Sequence, residues 1–391
     1  MASTIAVYGL IRSEGATVRA AAASLGLDVV FHDQPTALAT SLEREMPRAV
    51  LIAHGCDGAV EALAHLRGHV RYAGVPVLGL TSERTDLAFG EIYHQGGDDL
   101  ASPRSLRGLV ARLRQLAPTD RAAAAPDATR ACAVVAGTSL RWRTIVGRML
   151  TNAGLSPRFV NNVPDAVEQA CADDVRFVVA ADDLPPDGVA AALQRARAKG
   201  SKVPWIVVAA ARRAAAVRLA LQSVPSSAVI DAYAPPDHIL FAFNELAYPQ
   251  LAERRSSARV LFGTAVSFRT AGGSEDDVGF TYNINAAGLF VRTLAPLEAG
   301  QEVWLELWPP RTERAVRLVG RVAWRRAFGP TGTATVPPGF GVRLIEGLPG
   351  DITRWESAYW ALAERPEPPF RVDVWDHLSH VPPPLVASTV G

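Results

Sequence analysis

Arg254-Arg255-Ser256-Ser257-Ala258-Arg259, followed about two dozen residues later by Asn283-Ile284-Asn285-Ala286-Ala287-Gly288, frames the part of the chain whose reading settles its architecture. From Arg259 onward apolar and polar residues alternate with period two in six runs: 260–270, 278–282, 289–293, 302–308, 315–326 and 340–345. Connections rich in Gly, Pro, Asp and Asn separate them. Short, closely spaced strands of this kind predict a six-stranded antiparallel β-barrel. A helix from about 351 to 364 is expected to cap it, with Trp355, Tyr359 and Trp360 at the spacing of one helix face and so packed on the barrel. Trp304, Trp308 and Trp324 read most simply as barrel-wall or interface aromatics.

Upstream the pattern is different. Residues 1–116 alternate short Val/Ile/Leu runs at 4–8, 27–31, 49–53 and 75–80 with Ala- and Leu-rich stretches of helical spacing, such as 18–25 and 59–66. Alternation of strand and helix predicts a parallel sheet covered on both faces. A linker rich in Ala, Pro, Asp and Thr spans 117–129. The same order then repeats within 130–246, with strands expected at 131–136, 158–161, 177–181, 203–209 and 227–231. The intervening helices are expected at 141–153, 166–171, 190–198 and 214–222. The expected organisation is two doubly wound five-stranded domains (1–116 and 130–246), a barrel with its C-terminal helix (252–364) and a Pro-rich tail (365–391).

Composition excludes several classes. The chain has 391 residues, too many for one core. It is 49% hydrophobic and 20% charged with a formal net charge of +1, which points away from nucleic-acid binding. No apolar run approaches the roughly 20 residues of a membrane helix, and residues 1–10 lack the basic start and long apolar core of a signal peptide. Cys56, Cys132 and Cys171 are widely separated, which fits a reducing cytoplasm. His54, Cys56 and Asp57 lie close in sequence but have no second ligand cluster, so no metal site is expected. There is no Walker loop and no Gly-x-Ser-x-Gly elbow, so no enzyme is expected.

The barrel segment resembles the PilZ family of bacterial cyclic di-GMP receptors. The R-x-x-x-R motif matches at Arg255 and Arg259, and [DN]-x-S-x-x-G matches at Asn283 and Gly288, with Asn285 where the family has serine. Glu302–Leu307, Gly320-Arg321-Val322-Ala323-Trp324 and Gly339-Phe340-Gly341-Val342-Arg343-Leu344 resemble the later PilZ strands in order and spacing. The resemblance implies cyclic di-GMP as ligand, with no other cofactor, held by Arg254, Arg255, Arg259, Asn283, Asn285 and Gly288. The chemistry agrees with it. An arginine fork matches phosphate and the O6/N7 edge of guanine, and it stacks on bases. Asn283 can both accept from and donate to guanine. Gly288 is expected to supply a positive φ or to admit the ligand to the backbone.

The two front domains are similar to response-regulator receivers. Gly96-Gly97-Asp98-Asp99-Leu100-Ala101-Ser102-Pro103 looks like the segment that ends the receiver sheet. A phosphorylating receiver needs a metal-binding acidic pair, an acceptor aspartate and a lysine. Here Tyr8-Gly9-Leu10 follows the first strand, His54 follows the third, Ser102 stands for the lysine, and the chain's only lysines are Lys199 and Lys202. In the second domain Ala234-Pro235 replaces Lys-Pro. Asp182 is a weak phosphoacceptor candidate there, and it reads with Asp183 as a solvated loop carboxylate. The expectation is therefore a cytoplasmic adaptor. Cyclic di-GMP would bind the barrel, and degenerate receivers would carry the signal to partner proteins through a helix–strand face. The alternative is a PilZ-type interaction module that has lost nucleotide binding. A homodimer stays open.

Overall fold

The computed structural model describes residues 3–10, 12–83, 85–116, 131–249, 257–273, 275–329 and 336–364. The linker 117–129, the tail 365–391 and both Arg254 and Arg255 lie outside the described residues.

The first unit has strands β1 (Ser3–Tyr8), β2 (Leu27–His32), β3 (Ala49–Ala53), β4 (Val77–Leu80) and β5 (Asp99–Ala101). They are parallel and ordered β2-β1-β3-β4-β5. β3 is buried along its length, as a central parallel strand covered on both faces must be. Helices α1 (Arg12–Ala23) and α5 (Leu106–Leu116) bury Val18, Ala21, Leu109 and Leu113 on one face. Helices α2 (Pro35–Arg44), α3 (Ala59–Gly68) and α4 (Asp86–His94) bury Leu38, Leu63, Phe89 and Ile92 on the other.

The second unit repeats this with β6 (Cys132–Ala136), β7 (Ser156–Val160), β8 (Val175–Ala181), β9 (Trp205–Ala209) and β10 (Ser227–Asp231), ordered β10-β9-β8-β6-β7. Its helices are α6 (Leu140–Asn152), α7 (Val163–Gln169), α8 (Gly188–Ala198), α9 (Ala211–Leu221) and α10 (His238–Ala247). Both sheets have the receiver-like strand order. The sequence reading did not anticipate α10. Its segment HILFAFNELA is apolar nearly throughout, so it shows no clean stripe of period 3.6.

The third unit is a closed ring. Strands β12 (Ala265–Thr270), β13 (Asp277–Asn285), β14 (Gly288–Arg292), β15 (Glu302–Leu307), β16 (Val316–Arg326) and β17 (Gly339–Gly347) pair antiparallel in the order β13-β12-β15-β16-β17-β14, and β14 returns to β13. A two-residue strand, β11 (Val260–Leu261), adds to β13. The single strand expected at 260–270 is therefore split. At the break the Thr281 hydroxyl donates to Phe262 O at 2.7 Å and accepts from Thr264 N at 2.8 Å, adding to the backbone bonds there. Helix α11 (Pro349–Glu364) packs Trp355, Tyr359 and Leu362 into the barrel core. Trp360 is half exposed rather than packed on the barrel as expected, and Trp304 and Trp308 are also half exposed, which fits interface rather than barrel-wall positions.

The barrel docks on the α4–β5–α5 face of the first unit. Phe280 stacks on Phe89 with ring centroids 5.2 Å apart and meets Tyr93 edge-on. Asp86 Oδ1 accepts from Ala265 N at 2.7 Å. Asp99 is fully buried and accepts from Arg112 Nε, Leu294 N and Tyr93 Oη. Arg112, also fully buried, reaches Asp277 Oδ1 at 2.9 Å and Val278 O at 2.6 Å. Burial opposes its charge, but Asp277 and Asp99 outweigh burial and raise its pKa. All of its donors are matched, which offsets the cost of burying the cation. The barrel thus covers the α4–β5–α5 side of the first unit.

The second unit closes the assembly. Arg148 on α6 forks onto Asp98 at 2.7 and 2.9 Å. Arg292 on β14 pairs with Asp237 at 2.5 Å and lies 3.2 Å from the centroid of the Tyr93 ring. Tyr282 Oη donates to Asp237 O at 2.9 Å. Residues of all three units therefore meet around Arg292.

Candidate functional site

A cavity of about 250 Å³ opens at one end of the barrel. Its lining includes Arg259, Asn283, Asn285 and Gly288. Four of the six residues singled out from sequence are thus brought together, although they come from separate motifs. Arg254 and Arg255 lie outside the described residues.

Local structure explains each placement. A bulge in β13 makes Tyr282 the extra residue between Thr281 and Asn283 in the pairing with β14. A bulge re-aims the side chains on either side of it. Here it allows neighbouring residues to serve different surfaces, with Tyr282 turned to Asp237 and Asn283 to the cavity. Asn285 closes the β13–β14 turn, since its Oδ1 accepts from Ala287 N at 3.0 Å. The amide at the motif-serine position is therefore engaged in an Asx-type turn. Of the two roles expected for Gly288, positive φ is not the one found, because its φ is not among the positive values. A Cβ there would lie 2.2 Å from Val342 O, so glycine is required by the close approach of β14 to β17.

Helix α11 ties the two walls together. Tyr359 Oη donates to Ala258 O at 2.8 Å, which fixes the backbone just ahead of Arg259. Trp355 Nε1 donates to Ala286 O at 3.1 Å in the hairpin turn. Core packing of these two aromatics was legible in sequence, whereas their hydrogen bonds to both motif segments were not.

Trp324 and Arg343 are not marked as site residues by either sequence motif. Both line the cavity. The Trp324 indole packs on Phe290 with centroids 5.0 Å apart and a 32° tilt. It lies across Gly341, its partner on β17, where a Cβ would meet Nε1 at 2.5 Å. Glycine opposite tryptophan on paired strands was the available signal, and it required the register to be known. Among the described residues the cavity is lined by two guanidiniums, two side-chain amides and two aromatic rings, and by no carboxylate. That set suits an anion that carries a planar base.

A family model described as PilZ domain matches residues 253–354. Residues 253–354 are a PilZ domain. Among solved structures, the PilZ domain of CeSA from a cellulose-synthesizing bacterium is 18% identical over 28% of this chain and 96% of its own, with a TM-score of 0.20. A response regulator from Chloroflexus aurantiacus J-10-fl is 18% identical over 30% of this chain and 98% of its own, with a TM-score of 0.28. A two-component system response regulator/GGDEF domain protein is 15% identical over 63% of this chain and 99% of its own, with a TM-score of 0.30. No curated protein matched the chain.

The receiver-like units hold their acids differently. Asp182 is not solvated. Its side chain is 4% exposed and pairs with Arg213 at 2.7 Å, while Asp183 is 52% exposed. The guanidinium occupies the acceptor candidate from the helix side. In the first unit His54 Nε2 meets Glu91 at 2.6 Å. Among the described residues no group of three His, Cys, Asp or Glu could hold a metal ion, and no helix is long and apolar enough to cross a membrane.

Proposed function

We propose that this protein is a signalling adaptor whose PilZ domain binds cyclic di-GMP in the Arg259–Asn283 cavity and acts by binding rather than by catalysis. The observation that carries the reading is the meeting of Arg259 with Asn283, Asn285 and Gly288 on one cavity of a PilZ barrel. Arg259, joined by Arg254 and Arg255 of the preceding segment, takes the phosphates and the guanine O6/N7 edge. Asn283 takes the guanine N–H groups, and Trp324 offers a stacking face. The free cysteines Cys56, Cys132 and Cys171 suit a reducing cytoplasm.

Occupancy passes to the junction through aromatic contacts. Trp324 packs on Phe290, Phe290 meets Tyr282 at 5.8 Å edge-on, and Tyr282 holds Asp237. A ligand that reorders Arg259 and Trp324 therefore biases how the second receiver-like unit sits on the barrel, and with it the surface offered to partner proteins. Calorimetric titration of the full chain with cyclic di-GMP tests the binding step. Wild type should bind, and Arg259→Ala should lose about 2 kcal/mol or more as a charge-assisted contact disappears. If neither wild type nor Asn285→Ser binds at high micromolar nucleotide, the ligand reading fails and the interaction-module alternative stands.

A further inference from the structure

A second and larger cleft lies between the two receiver-like units, away from the barrel cavity. Its volume is about 900 Å³. Its floor is apolar, with Val75 and Pro76 from the loop before β4, Leu116 at the end of α5, and Leu140 and Phe159 of the second unit. Several apolar side chains around it are left uncovered: Val70 is 74% exposed, Phe159 50% and Leu140 44%. The cleft is also one-signed. Arg48, Arg71, Arg143 and Arg148 line it, and among the described residues its lining contains no aspartate or glutamate. Arg148 is committed to Asp98. Arg71 donates to a backbone carbonyl, Glu43 O. Arg143 Nε is buried without a hydrogen-bond partner among the described residues.

An apolar floor with a cationic rim selects an occupant with one apolar face and carboxylates along its edges. We propose that this cleft docks an acidic amphipathic helix of a partner protein. Leucine-sized side chains would cover Val70, Leu140 and Phe159, and Glu or Asp residues would pair with Arg71 and Arg143. A bare nucleic acid would leave the apolar floor unburied. The walls belong to different units, joined by α6 against α3 and by the Arg148–Asp98 pair. Helix docking is thus sensitive to the relative placement of the two units, which is the property an adaptor needs.

The test uses the full chain and a fluorescein-labelled amphipathic peptide of about 18 residues, five helical turns, with Leu on one face and Glu on its flanks. Its counterpart carries Lys for every Glu. The acidic peptide should bind, more weakly as salt rises, and the Lys peptide should not. Arg71→Glu with Arg143→Glu should weaken the acidic peptide by about tenfold or more, equivalent to roughly 1.4 kcal/mol. Val70→Glu changes an exposed residue outside the packed core, so it tests the same site if the arginine variant misfolds, and it should weaken binding likewise. Failure of the acidic peptide to bind overturns the proposal. So does equal binding of both peptides, or tighter binding of a single-stranded oligonucleotide. A dimer in sedimentation that Val70→Glu dissociates also overturns it, because the cleft would then be covered by a second copy.

Discussion

The barrel site shows at single residues what a sequence motif can and cannot carry. Arg259, Asn283 and Asn285 line one cavity: the β13–β14 register sets Asn283 and Asn285 beside the tight turn, and the pairing of Val260 with Ile284 brings Arg259 alongside. Gly288 reached it for a different reason, strand packing against Val342 O, which no reading of one strand could reveal. Asn285 was the departure from the family pattern. Its Oδ1 holds Ala287 N, a bond that a serine hydroxyl can also make from that position. Asn285→Ser should therefore leave cyclic di-GMP affinity equal or improved in calorimetry. A large loss would mean that the amide itself contacts ligand. Trp324→Ala should weaken binding by about 1–3 kcal/mol, the range for one stacked base, with little change in the melting of the barrel. Arg259→Lys should rescue poorly, since an ammonium has neither the fork nor the stacking plane.

At the level of elements, period two and the alternation of strands with helices made all three units legible. The sequence could not show how they join. Phe280 and Val278 look like ordinary inward positions of a barrel strand, yet they pack against Phe89 and Tyr93 of the first unit. Arg112 sits on α5, a helix whose other arginines lie in an ordinary amphipathic pattern, and its partner Asp277 is 165 positions away. Long-range pairing of this kind leaves no local trace. Arg112→Ala should destabilise the full chain by about 3–5 kcal/mol in chemical denaturation, because Asp99 would stay buried without its cation. Phe280→Ala should cost about 3 kcal/mol or more through the cavity left beside Phe89. A barrel fragment covering 252–364 would expose the same face, so it should melt below the barrel in the full chain. Equal melting would mean that the docking contributes no stability.

Across the whole molecule, the three units converge on a buried charged centre whose balance depends on pH. Burial and the nearby Arg292 depress the pKa of His238 to about 3. Burial and Arg141 lower that of His94 to about 4. Asp237 opposes this: burial raises its pKa, although Arg292 and Arg326 pull it down. For the histidines the unfolded chain takes up protons first, so their contribution to stability is complete above about pH 6.5 and is lost as pH falls towards 4. His238→Gln should flatten the fall in stability between pH 6.5 and 4.5 by on the order of 2 kcal/mol. Matching pH profiles for the two proteins would show that His238 is not held neutral.

Under the proposed function, nucleotide occupancy would be converted at this convergence into a change of unit placement. Hydrogen exchange of the full chain, with and without saturating cyclic di-GMP, tests that coupling directly. Binding should slow exchange in the Asn283–Gly288 hairpin and also change it in α10 beside Tyr282 and in α4–β5 beneath the barrel. Slowing confined to the hairpin, or no change anywhere, would contradict the account.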